Sequence, residues 1–393
     1  MATNDPSSTG SRSPLAGLRV LDLSRVLAGP FVGRILADLG AEVVKVEPPE
    51  GDLTRTFGHE IAGISGYFTQ QNAGKRNVCV DLTARGGPEL VADLAAAADI
   101  VVENFRPGVL ARFGLDYAAL SARNRRLIML SISGFGQGGP ESQRAAYASV
   151  LHAESGLIAR QSAFSDQPPT DPAQGFADTY SGLHGLVGLL TALYHRERTG
   201  EGQHIDIAMI DAMCFTDDYG HAMLDGMEPD NVGGVLWDTP TGPILLAGGD
   251  LKLVWRQLIR VHAMAEPTPA GPALQDKIDA RQAAAQSWFD SFTDRAALYA
   301  ALDAANLAWG DVKRSGEVYD SPTLAARRTL VSVDDRAGST RRVMRAPQRF
   351  STLATEVAGP AAHRGEHNAE VLADWLGRDP AEVPAGVLLG EAG

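Results

Sequence analysis

Short apolar runs alternate with amphipathic segments along the first part of the chain. Residues 18–23 and 41–46 are apolar runs of the length of a strand. Between them, residues 30–39 follow a helical pattern, which Pro30 opens and Gly40 ends. A strand, a helix and a second strand in close succession predict a parallel βαβ unit.

The same alternation continues towards the middle of the chain. It predicts further strands at residues 77–82, 100–103, 127–132 and 204–208, and further helices at 87–98 and 210–224. Strands that alternate with helices pack as a parallel sheet with helices on both faces. The pattern therefore predicts an α/β fold with a large, doubly wound lobe.

A change in composition predicts where this lobe ends. Residues 228–250 are rich in Gly, Pro and Asn, which is typical of a passage between lobes. Beyond them, the Ala-rich residues 278–306 follow a helical pattern. We predict four parts in chain order: a disordered tail at 1–13, a large lobe at 14–224, a smaller α+β lobe at 225–317, and a C-terminal segment at 318–393 that returns to the large lobe.

Charge and cysteine content exclude several classes of protein. The 393 residues carry a net charge of −13, which argues against nucleic acid as a partner. No apolar run approaches the ~20 residues of a membrane span, so we expect no membrane segment. Cys79 and Cys214 have neither metal-site nor disulfide spacing, so the expected location is the cytoplasm. Residues 1–130 are electrically neutral and are the part of the chain best able to bind an anion.

Asp178 is the strongest candidate for chemistry. It precedes a long apolar helix that has glycine at every third position, at Gly182, Gly185 and Gly188. The N–H groups and the dipole at a helix start favour a negative charge, and the glycines leave room for a close approach. We therefore expect Asp178 to be an ionised nucleophile or, in the structural alternative, the N-cap of this helix.

Three loops at predicted strand ends are basic. Doubly wound sheets bind ligands outside the carboxyl ends of their strands, and Arg and Lys there suit a phosphate-bearing ligand. Ordinary solvated loop charge is the alternative. The three loops are residues 24–30 with Arg25, residues 72–77 with Lys75 and Arg76, and residues 103–108 with Phe105 and Arg106, followed by Arg112.

Other catalytic motifs are absent or incomplete. Residues 134–139 match Gly-x-Gly-x-x-Gly, but Pro140 follows and no helix pattern begins there, so a dinucleotide site is not predicted. The chain has no Gly-x-Ser-x-Gly and no His-Glu-x-x-His, which argues against a serine hydrolase and a zinc peptidase. His152, Glu154 and Arg160 precede Asp178 and are expected to contact an acid or to be solvated helix residues.

Several longer motifs occur in order along most of the chain. Together they resemble family III CoA-transferases, the group of the formyl-CoA and carnitine CoA-transferases, from about residue 15 to residue 376. The motifs are Leu23-Ser-Arg-Val-Leu-Ala-Gly-Pro30, Gly40-Ala-Glu-Val-Val-Lys-Val-Glu47, Gly74-Lys-Arg76, Val102-Glu-Asn-Phe-Arg-Pro-Gly108, Arg196-Glu-Arg-Thr-Gly-Glu-Gly-Gln203 and Gly365-Glu-His-Asn368.

This resemblance implies a Rossmann-like large lobe, a small lobe joined to it by long linkers, and an interlocked homodimer. It implies that Asp178 attacks an acyl-CoA thioester and passes through an aspartyl thioester of CoA before a free carboxylic acid completes the exchange. Acyl-CoA and a small carboxylic acid are then the substrates. CoA is a substrate in this scheme, and no metal or redox cofactor is implied.

The resemblance also assigns binding positions. At two further positions the sequence departs from the family pattern. Leu27 replaces the substrate-site glutamine of formyl-CoA transferase, which argues against a formyl or oxalyl substrate, and the glycine-rich lid is reduced to Gly233-Gly234. The positions that match CoA-binding residues are Arg25, Val26 and Ala28 at the CoA backbone, Asn104, Phe105 and Arg112 at the nucleotide end with Lys75 and Arg76 nearby, and Tyr147 along the pantetheine path.

Two other functions remain open at the level of sequence. The α-methylacyl-CoA racemases share the fold implied by the resemblance, but the His–Asp pair of those enzymes has no counterpart in residues 146–149, Ala-Tyr-Ala-Ser. A racemase also needs two opposed proton shuttles. A chain that keeps the fold could instead bind acyl-CoA without catalysing a reaction.

Overall fold

A computed structural model of the chain describes residues 13–227, 233–247, 251–268 and 273–390. Nearly all of the tail predicted at 1–13 lies outside these residues, as do parts of the passage at 228–250. The chain divides into two compact units. The first comprises the described residues within Met1–Gly220 and Thr323–Gly393, and the second those within His221–Pro322. The lobe boundaries at 224/225 and 317/318 stay predictions.

The strands within the described residues lie in four sheets. In chain order the strands are β1 (Arg19–Asp22), β2 (Glu42–Glu47), β3 (Glu60–Ile61), β4 (Ile64–Ser65), β5 (Arg76–Cys79), β6 (Ile100–Glu103), β7 (Ile128–Ser133), β8 (His204–Ala208), β9 (Val235–Trp237), β10 (Ile244–Leu246), β11 (Trp309–Asp311), β12 (Leu330–Asp334) and β13 (Thr340–Met344). The largest sheet has the order β5-β2-β1-β6-β7-β8. All of its neighbouring strands run parallel, so the prediction of an α/β fold around a parallel sheet is confirmed.

The helices differ in length and in position. They are α1 (Ala28–Asp38), α2 (Gly66–Asn72), α3 (Gly87–Ala96), α4 (Tyr117–Arg123), α5 (Ala148–Glu154), α6 (Leu157–Ser165), α7 (Phe176–Thr199), α8 (Met209–Thr216), α9 (Gly220–Leu224), α10 (Leu251–His262), α11 (Leu274–Asp290), α12 (Arg295–Ala304), α13 (Pro322–Ala326) and α14 (Asn368–Val371). None of the described helices is both long and apolar enough to cross a membrane. The cytoplasmic location stays a prediction.

Apolar residues on both faces of the large sheet form two separate cores. Val20 and Val102 belong to the core that includes residues of α1 and α7. Leu21 and Val101, one position along their strands, belong to the opposite core with α3 and with Trp375 of the C-terminal segment. Side chains alternate between the faces of a strand, so continuous apolar runs are what a sheet covered on both faces requires.

The strand order of the large sheet reverses beside β1. The chain builds from β1 through β2 to β5 and then returns to place β6 on the other side of β1. Ligands of doubly wound sheets bind at such a point, outside the strand carboxyl ends. The loops after β1 and β6 meet there. The basic loop at 72–77 precedes most of β5 instead, so the prediction that it lies at a carboxyl end is wrong.

Three predicted helices have different bounds in the structure. α1 begins at Ala28 rather than Pro30. Pro30 is tolerated in the first turn because the N–H that proline lacks would have no partner within the helix there. The helix predicted at 210–224 is two helices that Asp217 separates. The helical region 278–306 is likewise divided, with Asp294 as the N-cap of the second helix, where its side chain accepts the N–H groups of residues 296 and 297.

The glycines of α7 pack against protein. A methyl group on Gly182 would lie 2.8 Å from the Phe31 ring and 3.1 Å from the carbonyl oxygen of Ala28, and one on Gly185 would lie 2.9 Å from Leu130. The small residues therefore let α7 lie close to α1 and to the sheet. The close approach expected from these glycines is thus that of α1 and the sheet, and the stripe leaves no room for a ligand.

The C-terminal segment completes the β5 edge of the sheet. The N–H of Gly365 donates to Oδ1 of Asn77 at 2.7 Å, and the N–H of Cys79 donates to Oδ1 of Asn368 at 3.0 Å. Val80 also forms an isolated antiparallel bridge with Leu388. These contacts give hydrogen-bond partners to polar groups of the β5 edge strand, which would otherwise have none in the sheet.

Candidate active site

A cavity of about 470 Å³ lies at the strand-order reversal. Its walls come from the loop after β1, the start of α1, the loop after β6, the end of β7 and the first turn of α7. Six of the residues that the sequence assigned to the site line it. These are Arg25, Val26, Ala28, Asn104, Phe105 and Tyr147, and Asp178 lies in the same wall.

Asp178 is the third residue of α7 and not its N-cap. The N-cap is Gly175, which has no side chain to offer, and α7 begins at Phe176. The N-cap alternative for Asp178 is therefore wrong. A carboxylate in the first turn still interacts favourably with the positive end of the helix dipole.

A second helix start faces the same carboxylate. The backbone N–H of Ala28, the first residue of α1, faces the Asp178 carboxylate and interacts favourably with its charge. That N–H belongs to the group of first-turn donors that have no partner within their own helix. Two helix N-termini thus converge on one side chain, which is the arrangement that proteins use to hold an anion.

Burial opposes this stabilisation. It raises the pKa of Asp178 to about 6, while the Ala28 N–H acts in the other direction. With this pKa, the carboxylate is a stronger base than an exposed aspartate and still ionises at neutral pH. A carboxylate that is poorly solvated and confined is better suited to attack a carbonyl carbon.

The loop before α1 has a strained backbone. Val26 has φ of 67°, a left-handed conformation that a β-branched residue rarely adopts. The Asp52 carboxylate accepts the Val26 N–H at 3.2 Å and pairs with the buried Lys45 ammonium at 3.1 Å. Strain of this kind persists where surrounding contacts enforce it, and such places are often functional.

Asn104 joins the two loops of the site. Its Oδ1 accepts the Arg25 N–H at 2.8 Å, and its Nδ2 donates to the Arg25 carbonyl oxygen at 2.7 Å. The Arg25 guanidinium lies 5.6 Å from the centre of the Phe105 ring. Both polar atoms of the Asn104 side chain are thus engaged in fixing Arg25.

A second cavity of about 340 Å³ adjoins the first, because Arg25 and Phe105 line both. Its remaining walls are largely apolar and include Val80, Leu82 and Phe113. An apolar slot beside an arginine and an aromatic ring suits a flat heterocycle that carries phosphate.

Lys75 does not reach either cavity. Its ammonium is buried, and it donates to Asp22 at 2.8 Å, to the Pro30 carbonyl at 2.9 Å and to Asn72 at 2.9 Å. Burial alone would raise the pKa of the Asp22 carboxyl, but Lys75 and then Lys45 hold that pKa below its ordinary value. The expected contact of Lys75 with CoA is therefore not supported, and Lys75 supports the site from beneath.

Two more assigned residues lie outside the cavities. Arg76 pairs with Glu42 and Asp374 at the start of β5. Arg112 is exposed in the short helix Leu110–Phe113 and does not line either cavity. Tyr147 does line the larger cavity, and the residue is 70% exposed.

The structure adds residues that the sequence did not single out. Burial, with Asp178 as the second cause, raises the pKa of Tyr67 to about 12, so this cavity-lining phenol remains a proton donor. Arg144 also lines the cavity, where it lies 5.1 Å from the Phe135 ring. Neither follows a motif signal, because only the tertiary fold brings α2 and the loop before α5 to Asp178.

Gly233 and Gly234 precede β9 in the second unit. A methyl group on Gly234 would lie 2.8 Å from the Leu245 side chain and 2.9 Å from the Leu246 carbonyl oxygen, so this position needs glycine for strand packing. A role as an active-site lid stays a prediction. No group of three or more His, Cys, Asp or Glu within the described ranges is placed to hold a metal ion, and the absence of a cofactor likewise stays a prediction.

Known proteins are similar to this chain in sequence and in fold. The model of CoA-transferase family III matches residues 15–368. Succinate–glutarate CoA-transferase of Agrobacterium fabrum is 31% identical over 386 residues, which cover 92% of this chain and 96% of that protein. Succinyl-CoA–D-citramalate CoA-transferase of Chloroflexus aurantiacus is 31% identical over 395 residues, 93% of this chain and 94% of that one. The crystal structure of a CAIB/BAIF family protein from Brucella suis superimposes with a TM-score of 0.79 at 32% identity, covering 93% of this chain and 100% of that chain.

The chain belongs to CoA-transferase family III. The resemblance stated from the motifs is confirmed, and so is the expectation that the protein is an enzyme of the transferase class.

Replacement of Asp178 by Asn is expected to stabilise the fold. The folded-state pKa of about 6 exceeds the ordinary value of 3.8, so ionisation costs stability above about pH 6 and nothing below about pH 4. Asp178→Asn should therefore raise the free energy of unfolding by up to about 2–3 kcal/mol at pH 8, with the gain shrinking towards pH 4. Urea denaturation at several pH values measures this. The exposed first-turn Asp276→Asn is the control, and a loss of stability in Asp178→Asn at pH 8 would contradict the account.

Replacement of Lys75 by Met tests whether Lys75 stabilises the fold or contacts CoA. It leaves the Asp22 carboxylate buried and unpaired, so we expect a loss of about 3–5 kcal/mol in unfolding free energy. Arg76→Met, at a more exposed pair, should cost less than about 1 kcal/mol. Denaturation curves and CoA titration calorimetry test both. Unchanged stability with weakened CoA binding in Lys75→Met would mean that Lys75 contacts the ligand.

Proposed function

We propose that the protein transfers CoA from an acyl-CoA to a free carboxylic acid through a covalent intermediate on Asp178. The observation that carries this proposal is the Asp178 carboxylate in a cavity wall, where the N-termini of α1 and α7 converge. The family membership supports CoA transfer as the reaction.

The reaction proceeds by four acyl transfers. The Asp178 carboxylate attacks the thioester carbonyl, and CoA thiolate leaves as a mixed anhydride forms. The thiolate then attacks the aspartyl carbonyl and expels the donor acid, which leaves an aspartyl thioester. The acceptor carboxylate attacks this thioester to form a second anhydride, and the returning thiolate attacks its acyl carbonyl. The product acyl-CoA departs and the Asp178 carboxylate is restored, so each step exchanges one acyl bond for another.

The residues around Asp178 have distinct roles in this scheme. The Ala28 N–H orients the carboxylate before attack and remains a donor to the aspartyl oxygen of each intermediate. The Tyr67 hydroxyl, held protonated by burial, is a second donor on the cavity wall. Leu27 lies across from Gly175, where a methyl group would come within 3.1 Å of Leu27 and 3.3 Å of the Asp178 carboxylate. Such close packing limits the access of water to the anhydride and thioester intermediates on Asp178.

CoA spans the two connected cavities. Its adenine ring fits the apolar slot beside Phe105, and its phosphates lie near Arg25, where the two cavities meet. The pantetheine arm then runs along the larger cavity past Tyr147 to Asp178. This path uses most of the residues assigned by the resemblance and omits Lys75, Arg76 and Arg112.

The acids exchanged are dicarboxylic acids. The names of both full-length relatives contain dicarboxylic acids or their CoA esters. In this chain, Arg25, Arg106 and Arg144 line the larger cavity, and Asp178 is the one carboxylate among its described lining residues. One carboxylate of the acid can react at Asp178 while an arginine binds the other.

The protein functions as a homodimer through the outer face of α7. Leu183, Val187, Leu190 and Tyr194 occupy alternating steps of four, three and four residues and are between 42% and 66% exposed. Such spacing places all four on one side of the helix. An exposed apolar stripe of this length is typical of a protein–protein interface.

Removal of the Asp178 carboxylate should abolish exchange. With succinyl-CoA as donor and glutarate as acceptor, Asp178→Asn should lose about 10⁴-fold or more in kcat, while its Kd for CoA changes less than about tenfold. Pentanoate, which lacks the second carboxylate, should be a poor acceptor for the unaltered enzyme. Exchange is followed by mass spectrometry of the thioesters.

The control for that experiment is Asp166→Asn. Asp166 ends α6 with φ of 51°, a conformation that Asn tolerates, and it does not line either cavity. This variant should keep full activity. Turnover by Asp178→Asn would refute the proposed role of Asp178 as nucleophile. Failure of every acid and acyl-CoA tested, with CoA still bound, would favour a non-catalytic binding protein.

A charge in the α7 stripe should dissociate the dimer. Val187→Asp places an unpaired carboxylate in the centre of the proposed apolar contact, so light scattering after gel filtration should give half the mass of the unaltered protein. Leu353→Asp, at a leucine of 37% exposure outside the stripe, is the matched control and should leave the mass unchanged. A dimer that survives Val187→Asp would place the interface elsewhere.

A further inference from the structure

Helix α7 begins without a side-chain cap. Gly175 at the N-cap position has no side chain that could accept an N–H, and the N–H of Phe176 turns back to the Gln174 carbonyl oxygen at 2.9 Å. The next N–H, of Ala177, points into a buried environment and needs another acceptor. Asp178 follows immediately, so whatever holds the Ala177 peptide also fixes the backbone of the nucleophile.

His152 supplies that acceptor from α5. Its Nε2 lies 3.3 Å from the Ala177 nitrogen, and its Nδ1 lies 2.7 Å from a carboxylate oxygen of Asp171. An N–H can donate only to an unprotonated ring nitrogen, so Nε2 is bare and the proton lies on Nδ1, which donates to Asp171. The imidazole is 1% exposed, and the Phe176 ring packs against it in an edge contact at 6.0 Å.

We propose that His152, oriented by Asp171, is a positioning residue that acts as the remote N-cap of α7 and so fixes the Asp178 carboxylate for attack. This inference rests on the proposed role of Asp178 as nucleophile. The bare Nε2 replaces the side-chain oxygen that a Ser or Asp N-cap would supply. Asp171 selects the tautomer, in the way that carboxylates orient histidines elsewhere.

The surroundings of His152 support positioning over proton transfer. Both ring nitrogens are engaged, and His152 is absent from the cavity wall, whereas its neighbours Ser149 and Asp178 line it. The His–Asp pair that residues 146–149 lack is thus present nearby, but its geometry does not offer a proton shuttle to a bound acyl group.

Two variants of His152 test the proposal against the unaltered enzyme. His152→Leu removes the acceptor, and a small displacement of the nucleophile should lower kcat about 10–100-fold while KM for acyl-CoA changes less than about twofold. His152→Gln keeps an acceptor oxygen on a side chain of similar reach, so it should restore kcat to within about fivefold. Asp171→Asn, which weakens tautomer selection, should fall between the two.

The outcomes are separable from those for Asp178. If His152→Gln falls as far as His152→Leu, the imidazole has a chemical role and the proposal is overturned. If His152→Leu is fully active while Asp178→Asn is inactive, only the positioning role of His152 is refuted. If Asp178→Asn is active, the role of Asp178 as nucleophile is refuted. Nitrogen-15 NMR of histidine-labelled, unaltered protein gives an independent check, because a proton on Nε2 of His152 would contradict the proposal even if neither variant folds.

Discussion

Two buried lysines hold together the part of the molecule on which the site depends. Lys75 pairs with Asp22 and Lys45 pairs with Asp52, and each of these side chains is at most 1% exposed. The pairs join β1, β2 and the turn before β5 to the loop that carries Val26, whose N–H the Asp52 carboxylate accepts. A buried charge that loses its partner costs several kcal/mol, so the strained loop persists only while the network is complete. The conformation of this loop, in turn, directs the start of α1 towards Asp178.

Asp178 shows how stability and reactivity oppose each other in this site. The N-termini of α1 and α7 favour the ionised carboxylate, whereas burial disfavours it and raises its pKa to about 6. The carboxylate is therefore charged at neutral pH at a cost in folding free energy. Functional sites commonly carry such a cost. Gly175 belongs to the same compromise, because a larger residue there would meet both Leu27 and the carboxylate.

The sequence predicted the parallel sheet and the position of Asp178 at the start of a long helix, but it did not predict what surrounds Asp178. Apolar periodicity locates strands because it reports burial, and Asp178 stands out because a helix start is a local signal. Whether a lysine is solvated or buried is not local, so Lys75 was assigned to CoA although it points into the core. The α7 glycines were likewise interpreted as open space, although the sheet and α1 fill it. His152 reaches Ala177 only through the packing of α5 on α7, which no motif encodes.

The most direct test of the covalent path follows oxygen. In the proposed scheme, the acceptor acid gives one of its carboxylate oxygens to Asp178 when the second anhydride breaks down. Incubation with succinyl-CoA and ¹⁸O-labelled glutarate, followed by proteolysis and mass spectrometry, should therefore show ¹⁸O in the peptide that contains Asp178, and in no peptide when acyl-CoA is omitted. Product thioester formed with no ¹⁸O in that peptide would contradict the account, because the acid would then have acquired CoA without passing through Asp178.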